Sequence, residues 1–210
     1  NRSARDMNRV TFLIGLAILV GETGTTQSAG QGPRQVAGRS IAEYAAQIDD
    51  PSRVVRLRAI KSLGVFGATA GAVLRDALDH EDAAVRYTAA VHLGRIGGEP
   101  LKLADERLLE LASDRRSHAV RMAASYALCE SGKVSEHLPL LIESLGYGER
   151  GMACSAAELI GRLGPDAQAA EPALETTYEK HRPGATGGDY HIGGAAMNAL
   201  RKIRTDSADQ

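Results

Sequence analysis

Tryptophan is absent from this 210-residue chain, phenylalanine occurs twice, and aromatic residues make up 4% of it against 43% apolar residues overall. Large rings cannot fill a core at that frequency, so the interior has to be built from Ala, Leu, Ile and Val. Small side chains let helix backbones approach one another, and the deficit therefore favours stacked helices. Cysteine is also scarce, at two residues, which excludes a disulfide framework. Charge of one sign is lacking: 25 basic and 26 acidic residues leave no net field that would draw the chain onto nucleic acid or an acidic surface. Phosphate loops, dinucleotide fingerprints and Gly-x-Ser-x-Gly elbows are missing as well. No catalytic residue and no cofactor is expected.

The first thirty residues have a texture of their own. Arg2, Arg5 and Arg9 precede an apolar run from Val10 to Val20, and a small, polar stretch follows from Gly21 to Ser28. Basic, apolar and small-polar segments in that order read as an export signal or anchor over residues 1–29, and the apolar run is short for a spanning helix. Met7 makes a compact start for such a signal, with a mature N-terminus expected between Thr25 and Gly30. The chain is thus expected outside the cytoplasm, in the periplasm or beyond, and on a membrane only if the segment stays uncut. Residues 30–39 read as a flexible linker, 40–204 as the folded domain and 205–210 as a disordered tail.

Repetition is the strongest signal in the domain. The segment Val55-Arg56-Leu57-Arg58-Ala59-Ile60-Lys61-Ser62-Leu63-Gly64-Val65-Phe66-Gly67 aligns without gaps with Val85–Gly97, Val120–Gly132 and Met152–Gly164. Ile192–Arg204 keeps the apolar skeleton but lacks the final glycine. Successive starts are 30, 35, 32 and 40 residues apart, the spacing of two-helix units. In the second unit Val85, Ala89, Leu93 and Ile96 fall on one side of a helix, with Ala90 and Gly94 beside them where a neighbour can come close. Gly67, Gly97, Gly132 and Gly164 stand just past the last periodic residue, where a left-handed cap ends a helix. The stretches 40–48, 68–79, 100–112, 136–145 and 167–180 supply the other helix of each pair, the first opened by a capping box of Ser40 and Glu43.

Val-Arg followed by an Ala-rich helix ending in Leu-Gly-x-Ile-Gly resembles the HEAT-like repeat family, particularly the short repeats of bilin lyase subunits. That resemblance spans residues 40–204 and implies an all-α fold: a right-handed α-solenoid (α-α superhelix) of about five HEAT-type two-helix repeats. A finer pattern, VRYTAAVHLGRIG followed by a unit ending Tyr126-Ala127-Leu128-Cys129-Glu130-Ser131-Gly132, is similar to helical tails of secreted bacterial sulfatases. Neither Cys129 nor Cys154 begins the Cys-x-Pro-x-Arg pattern of those enzymes, so only an accessory part would be present.

Two sets of residues stand out on this register. Arg56, Arg86 and Arg121 form one column, each preceded by an acidic turn residue, Asp50, Asp82 and Asp114. In similar repeats such residues form an Asp/Arg ladder from unit to unit; the functional alternative is a row of cations for an anion. Ala153 and Gly193 replace Arg in the last two units, so the ladder should stop there. The second set is the exposed stripe that lines the concave side of such a solenoid: Lys61, Val91, Tyr126 and Glu158 in one row, Val65, Arg95, Glu130 and Arg162 in the next, with Tyr87 and His92 adjacent. Mixed charge with a few aromatics suits a protein partner. No metal site is expected, since none of the six histidines forms a His-x-x-x-His or Glu-x-x-His arrangement. The insertion 182–191 is a second site candidate. The expected function is a non-catalytic scaffold, exported or envelope-tethered, that binds a protein partner through the concave face. The alternatives are an accessory module of an enzyme, sulfatase-associated or bilin-lyase-like, and a structural spacer.

Overall fold

Apolar residues at helical spacing, separated by acidic or glycine turns, leave the chain one economical solution, which is to pair each short helix with the next and bury the shared stripe. The computed structural model describes residues 34–205 and shows this arrangement. α1 (Ile41–Ala45) pairs with α2 (Arg53–Leu63), and α3 (Gly71–Asp76) with α4 (Ala83–Ile96). α6 (Asp105–Ala112) pairs with α7 (His118–Glu130), while the short α5 (Gly98–Lys102) before it packs on α3 and α4. α8 (Val134–Leu145) pairs with α9 (Arg150–Arg162), and α10 (Glu171–His181) with α11 (Tyr190–Thr205). Among the described residues the sole β-type pairing is an isolated bridge between Val36 and Arg39.

That bridge corrects the expected linker over 30–39. Val36 and Arg39 exchange backbone bonds of 2.9 and 3.0 Å, and the Tyr44 hydroxyl donates to the Val36 carbonyl at 2.9 Å. The end of the linker is therefore a turn fixed to α1, because a buried tyrosine needs an acceptor for its hydroxyl. The expected capping box is present, with Ser40 N donating to Glu43 Oε2 at 2.7 Å and Glu43 N to Ser40 Oγ at 3.3 Å. The export segment 1–29 and the tail beyond Thr205 lie outside the described residues.

Glycine ends the second helices as the repeat suggests, with a difference in conformation. Gly67 has φ 63°, ψ −141° and Gly97 φ 64°, ψ −158°. The positive φ is the expected one, but ψ is far from the left-handed helical value, in a region open essentially to glycine alone. This matters at Gly67, because Arg53–Asp79 contains an 18-residue stretch that by length and composition is apolar enough to cross a membrane. The reversal at Gly67 folds it into two pieces, and Leu63, Phe66, Leu74 and Leu78 from both sides are fully buried in one core.

Two clusters of buried residues fill the interior. The first runs from Tyr44 to Leu128 and the second from Met122 to Ile203. They overlap in sequence at α7, whose Val120, Ala123, Ala124, Ala127 and Leu128 belong to the first and Met122, Tyr126 and Cys129 to the second. α7 is accordingly buried nearly all round, as a helix without a polar face must be.

Candidate functional site

The second helices α2, α4, α7 and α9 jointly line a groove of about 570 Å³. Leu57, Tyr87 and Met152 contribute apolar surface; Arg53, Lys61 and Glu149 contribute charge. Ser155 of α9 lies against Tyr87 of α4, whose hydroxyl is pushed up by burial and drawn down by that serine, with Glu158 and Arg162 near. One cavity with walls from the first and the fourth unit requires second helices that converge on a common side. Of the expected stripe, Lys61 and Tyr87 line this groove. Arg53, Leu57, Glu149, Met152 and Ser155 were not picked out by sequence reasoning. Leu57 and Met122 stand four residues before Lys61 and Tyr126 in the repeat, so extending that row by four residues toward the N-terminus would have found them; Ser155 lies one residue off the row.

Farther along the same side, Lys61, Arg95, Glu130, Glu158 and Arg162 are exposed, and Val91 is half-buried. Arg162 Nη2 donates to Glu158 Oε1 at 2.6 Å, and Arg95 Nη1 approaches His92 Nδ1 at 3.4 Å. Burial raises the Glu130 carboxyl, against the lowering contact with Tyr126.

Two members of the stripe do not belong on a solvent face. Tyr126 is 1% exposed and His92 9%. The reason lies in the glycine column. A Cβ built on Gly94 would stand 2.8 Å from Tyr126 Cε1, and one on Gly64 would stand 2.2 Å from the His92 ring. Each ring fills the space that a glycine of the preceding second helix leaves open. Tyr126 and His92 are therefore core residues beneath the stripe. Burial raises the Tyr126 hydroxyl, and burial followed by Arg95, Arg162 and Lys61 brings the His92 imidazole down to about 4.

The Asp/Arg ladder closes at one rung. Arg56 Nη1 donates to the carbonyls of Asp50 and Pro51 at 2.9 and 3.0 Å, while Nη2 reaches Asp82 Oδ2 at 2.8 Å, tying the first unit to the second. Arg86 repeats the carbonyl half, donating to His80 and Glu81 at 2.6 and 2.8 Å. Its expected partner Asp114 turns instead to Arg116, which it meets through both carboxylate oxygens. That contact, and the backbone N–H of Arg116, brings the Asp114 carboxyl down to about 2. Arg121 meets His118 Nδ1 at 2.7 Å, and His118 Nε2 meets Ser144 Oγ at 2.8 Å. Asp50 takes part through its carbonyl; its side chain caps Ser52 N at 2.8 Å. An ion-pair ladder over three units is thus replaced by one ion-pair rung and two local brackets.

The insertion 182–191 is pinned at its end. Asp189 pairs with Arg150, its backbone N–H donates to His181 Nδ1 at 2.9 Å, and the Tyr190 ring lies against that of His191, tilted by 34° with centroids 4.0 Å apart. Gly193 makes this possible, since a Cβ there would lie 2.5 Å from the His181 carbonyl oxygen. Both cysteines are free; burial pushes the Cys129 thiol up to about 12 and raises Cys154 as well. Among the described residues no three His, Cys, Asp or Glu side chains are grouped to hold a metal ion.

Among solved structures, a chain of the complex of CpcE and CpcF of phycocyanin lyase from Nostoc sp. is similar at 17% identity, covering 78% of this chain and 82% of that one with a TM-score of 0.38. No curated protein matches the sequence. The family model described as HEAT repeats matches residues 41–129, the span from α1 through α7 that holds the closed Arg56–Asp82 rung, and that part of the chain is built of HEAT-type repeats.

Proposed function

We propose that this protein is a non-catalytic HEAT-repeat scaffold, exported or envelope-tethered, that holds a protein partner in the groove of its second helices. The groove carries the reading. Leu57, Tyr87 and Met152 offer apolar contact area, while Arg53, Lys61 and Glu149 set charge of both signs around it. A desolvated apolar centre within a charged rim is the anatomy of a protein interface. The exposed Arg95 and Arg162 prolong it along the stack with the side chain most often dominant in interface energy.

A photo-crosslinking residue placed at Tyr87 or at Ser155 in the full chain tests this. Both positions should capture the same protein in the native host, a crosslinker at exposed Glu106 should not, and Arg95→Ala should weaken the capture. Identical capture from all three positions would refute the groove. The export part rests on the order of Arg9, Val10–Val20 and Gly21–Ser28. Expressed from Met7, the chain should start between Thr25 and Gly30 by intact mass; a full-length cytoplasmic product would overturn it.

A further inference from the structure

In a stack of two-helix units every second helix turns one face to the unit before it, and at the N-terminal end of the described stack that face belongs to α2. The repeat identifies it residue by residue. On α11, His191, Gly194, Ala195, Asn198, Ala199 and Lys202 face α9 across a cavity of about 580 Å³. Their equivalents are Val54, Leu57, Arg58, Lys61 and Ser62 on α2 and Val65 just past its end, and these six alone line an open depression. Val54 is 66% exposed and Val65 59%. In later units the place of Ser62 is held by His92, Ala127 and Ala199, which pack against Gly64, Gly94 and Gly161 of the helix before. A terminal repeat that needs no neighbour carries a polar outer face. An aliphatic stripe in that position is a surface suited to being covered.

Its charge decides by what. Arg58 and Lys61 stand among the aliphatic residues, the face has no acidic residue, and neither cation forms an ion pair among the described residues. Two copies meeting through α2 would set these cations against their own equivalents. A head-to-tail contact would bring Ser62 onto Arg201, which on α11 holds the place of Gly64, Gly94 and Gly161 and leaves no room for close approach. Residues 10–20 contain no acidic residue to answer the charge. We propose that the face of α2 left uncovered by the described residues docks an acidic amphipathic helix of a partner protein, laid where a preceding second helix would lie. α9 shows the complementary pattern: Cys154, Ala157, Glu158 and Gly161 at i, i+3, i+4 and i+7, three small residues and one acid, are what it presents to the equivalent face of α11. The face shares Leu57 and Lys61 with the groove assigned to the scaffold function, while Val54, Arg58, Ser62 and Val65 lie outside it, so changes at these four separate the two sites.

The probe is a fluorescein-labelled, helix-stapled peptide with the α9 spacing, alanine at the small positions and glutamate beside them, titrated against the full chain by anisotropy. Saturable binding is expected, weakened about tenfold or more by the double change Val54→Lys and Val65→Lys. Arg58→Glu should weaken the acidic peptide and strengthen its lysine counterpart. These side chains are exposed, so melting temperatures should hold, and crosslinking from Tyr87 should persist in all variants. No binding by the parent, or binding that ignores Val54, Arg58 and Val65, overturns the proposal. So does sedimentation showing a dimer of the parent that Val54→Lys and Val65→Lys dissolve, which would assign the face to a second copy.

Discussion

At the residue scale, a missing methyl group decides where the second helices meet. Gly64 admits the His92 ring, and that placement fixes the ring's chemistry: burial first, then the nearby cations, bring its imidazole from 6.5 to about 4. Between those values the unfolded chain binds a proton that the folded chain refuses. The contribution to stability is whole above pH 6.5 and lost as pH falls toward 4, on the order of 3 kcal/mol in full. Urea unfolding at pH 7.5 and pH 5 should therefore show a clear loss at the lower pH, and His92→Gln should remove much of the difference. His118 and His137, also lowered by burial, would leave a residual slope. Gly97 acts through the backbone alone, since a Cβ there meets nothing within 4 Å while φ is 64°. Gly97→Ala should cost roughly 1–3 kcal/mol, read as a lower urea midpoint at unchanged slope. The need for glycine here was legible, because the position follows the last periodic residue. The ring that occupies Gly64 or Gly94 was not, because a 3.6-residue period assigns a side chain to a row and says nothing of how the next helix crosses it.

At the scale of the element, Asp82 shows how one side chain starts a helix and joins two units. Its Oδ1 caps Ala84 N at 2.9 Å, and its Oδ2 receives Arg56 at 2.8 Å. Asp82→Asn keeps the cap and loses the ion pair, and should cost about 1 kcal/mol; Asp82→Ala loses both and should cost roughly 2 kcal/mol. Thermal unfolding of the two variants separates the contributions. The Arg56 hydrogen bond holds the Asp82 carboxyl below its ordinary range, so the rung stabilises above the usual carboxylate pKa and is lost as pH falls through the lowered value. The column of Asp and Arg was legible in the repeat, as were the helices themselves to within a few residues. The interruption at Asp114 was not. Arg116 is only two residues away, and a contact within one turn closes without the chain entropy that a contact across units must overcome.

On the scale of the whole molecule, stability in stacked repeats accrues from neighbour to neighbour, and here two cores meet at α7, with Tyr87 and Val91 of α4 packed against both. Tyr126 stands at that junction. Its ring lies against Gly94 of α4, while the cluster it belongs to includes Leu159 and Ile160 of α9. The helical period placed it on the same row as exposed Lys61 and Glu158, which would make its truncation harmless to the fold. Its burial gives the opposite expectation. Tyr126→Ala should cost roughly 3 kcal/mol or more, the range for removing a large buried ring. The loss should also spread in both directions. Amide hydrogen exchange should show protection falling together in α4, against which the ring lies, and in α9, whose Leu159 and Ile160 share its core. Leu200→Ala, buried at the far end in α11, should lower protection in α9 and α11 and spare α2 and α4. If Tyr126→Ala loosened α7 alone, or if Leu200→Ala reached α2 as readily as α9, the two cores would not communicate through α7 and the nearest-neighbour account of this stack would fail.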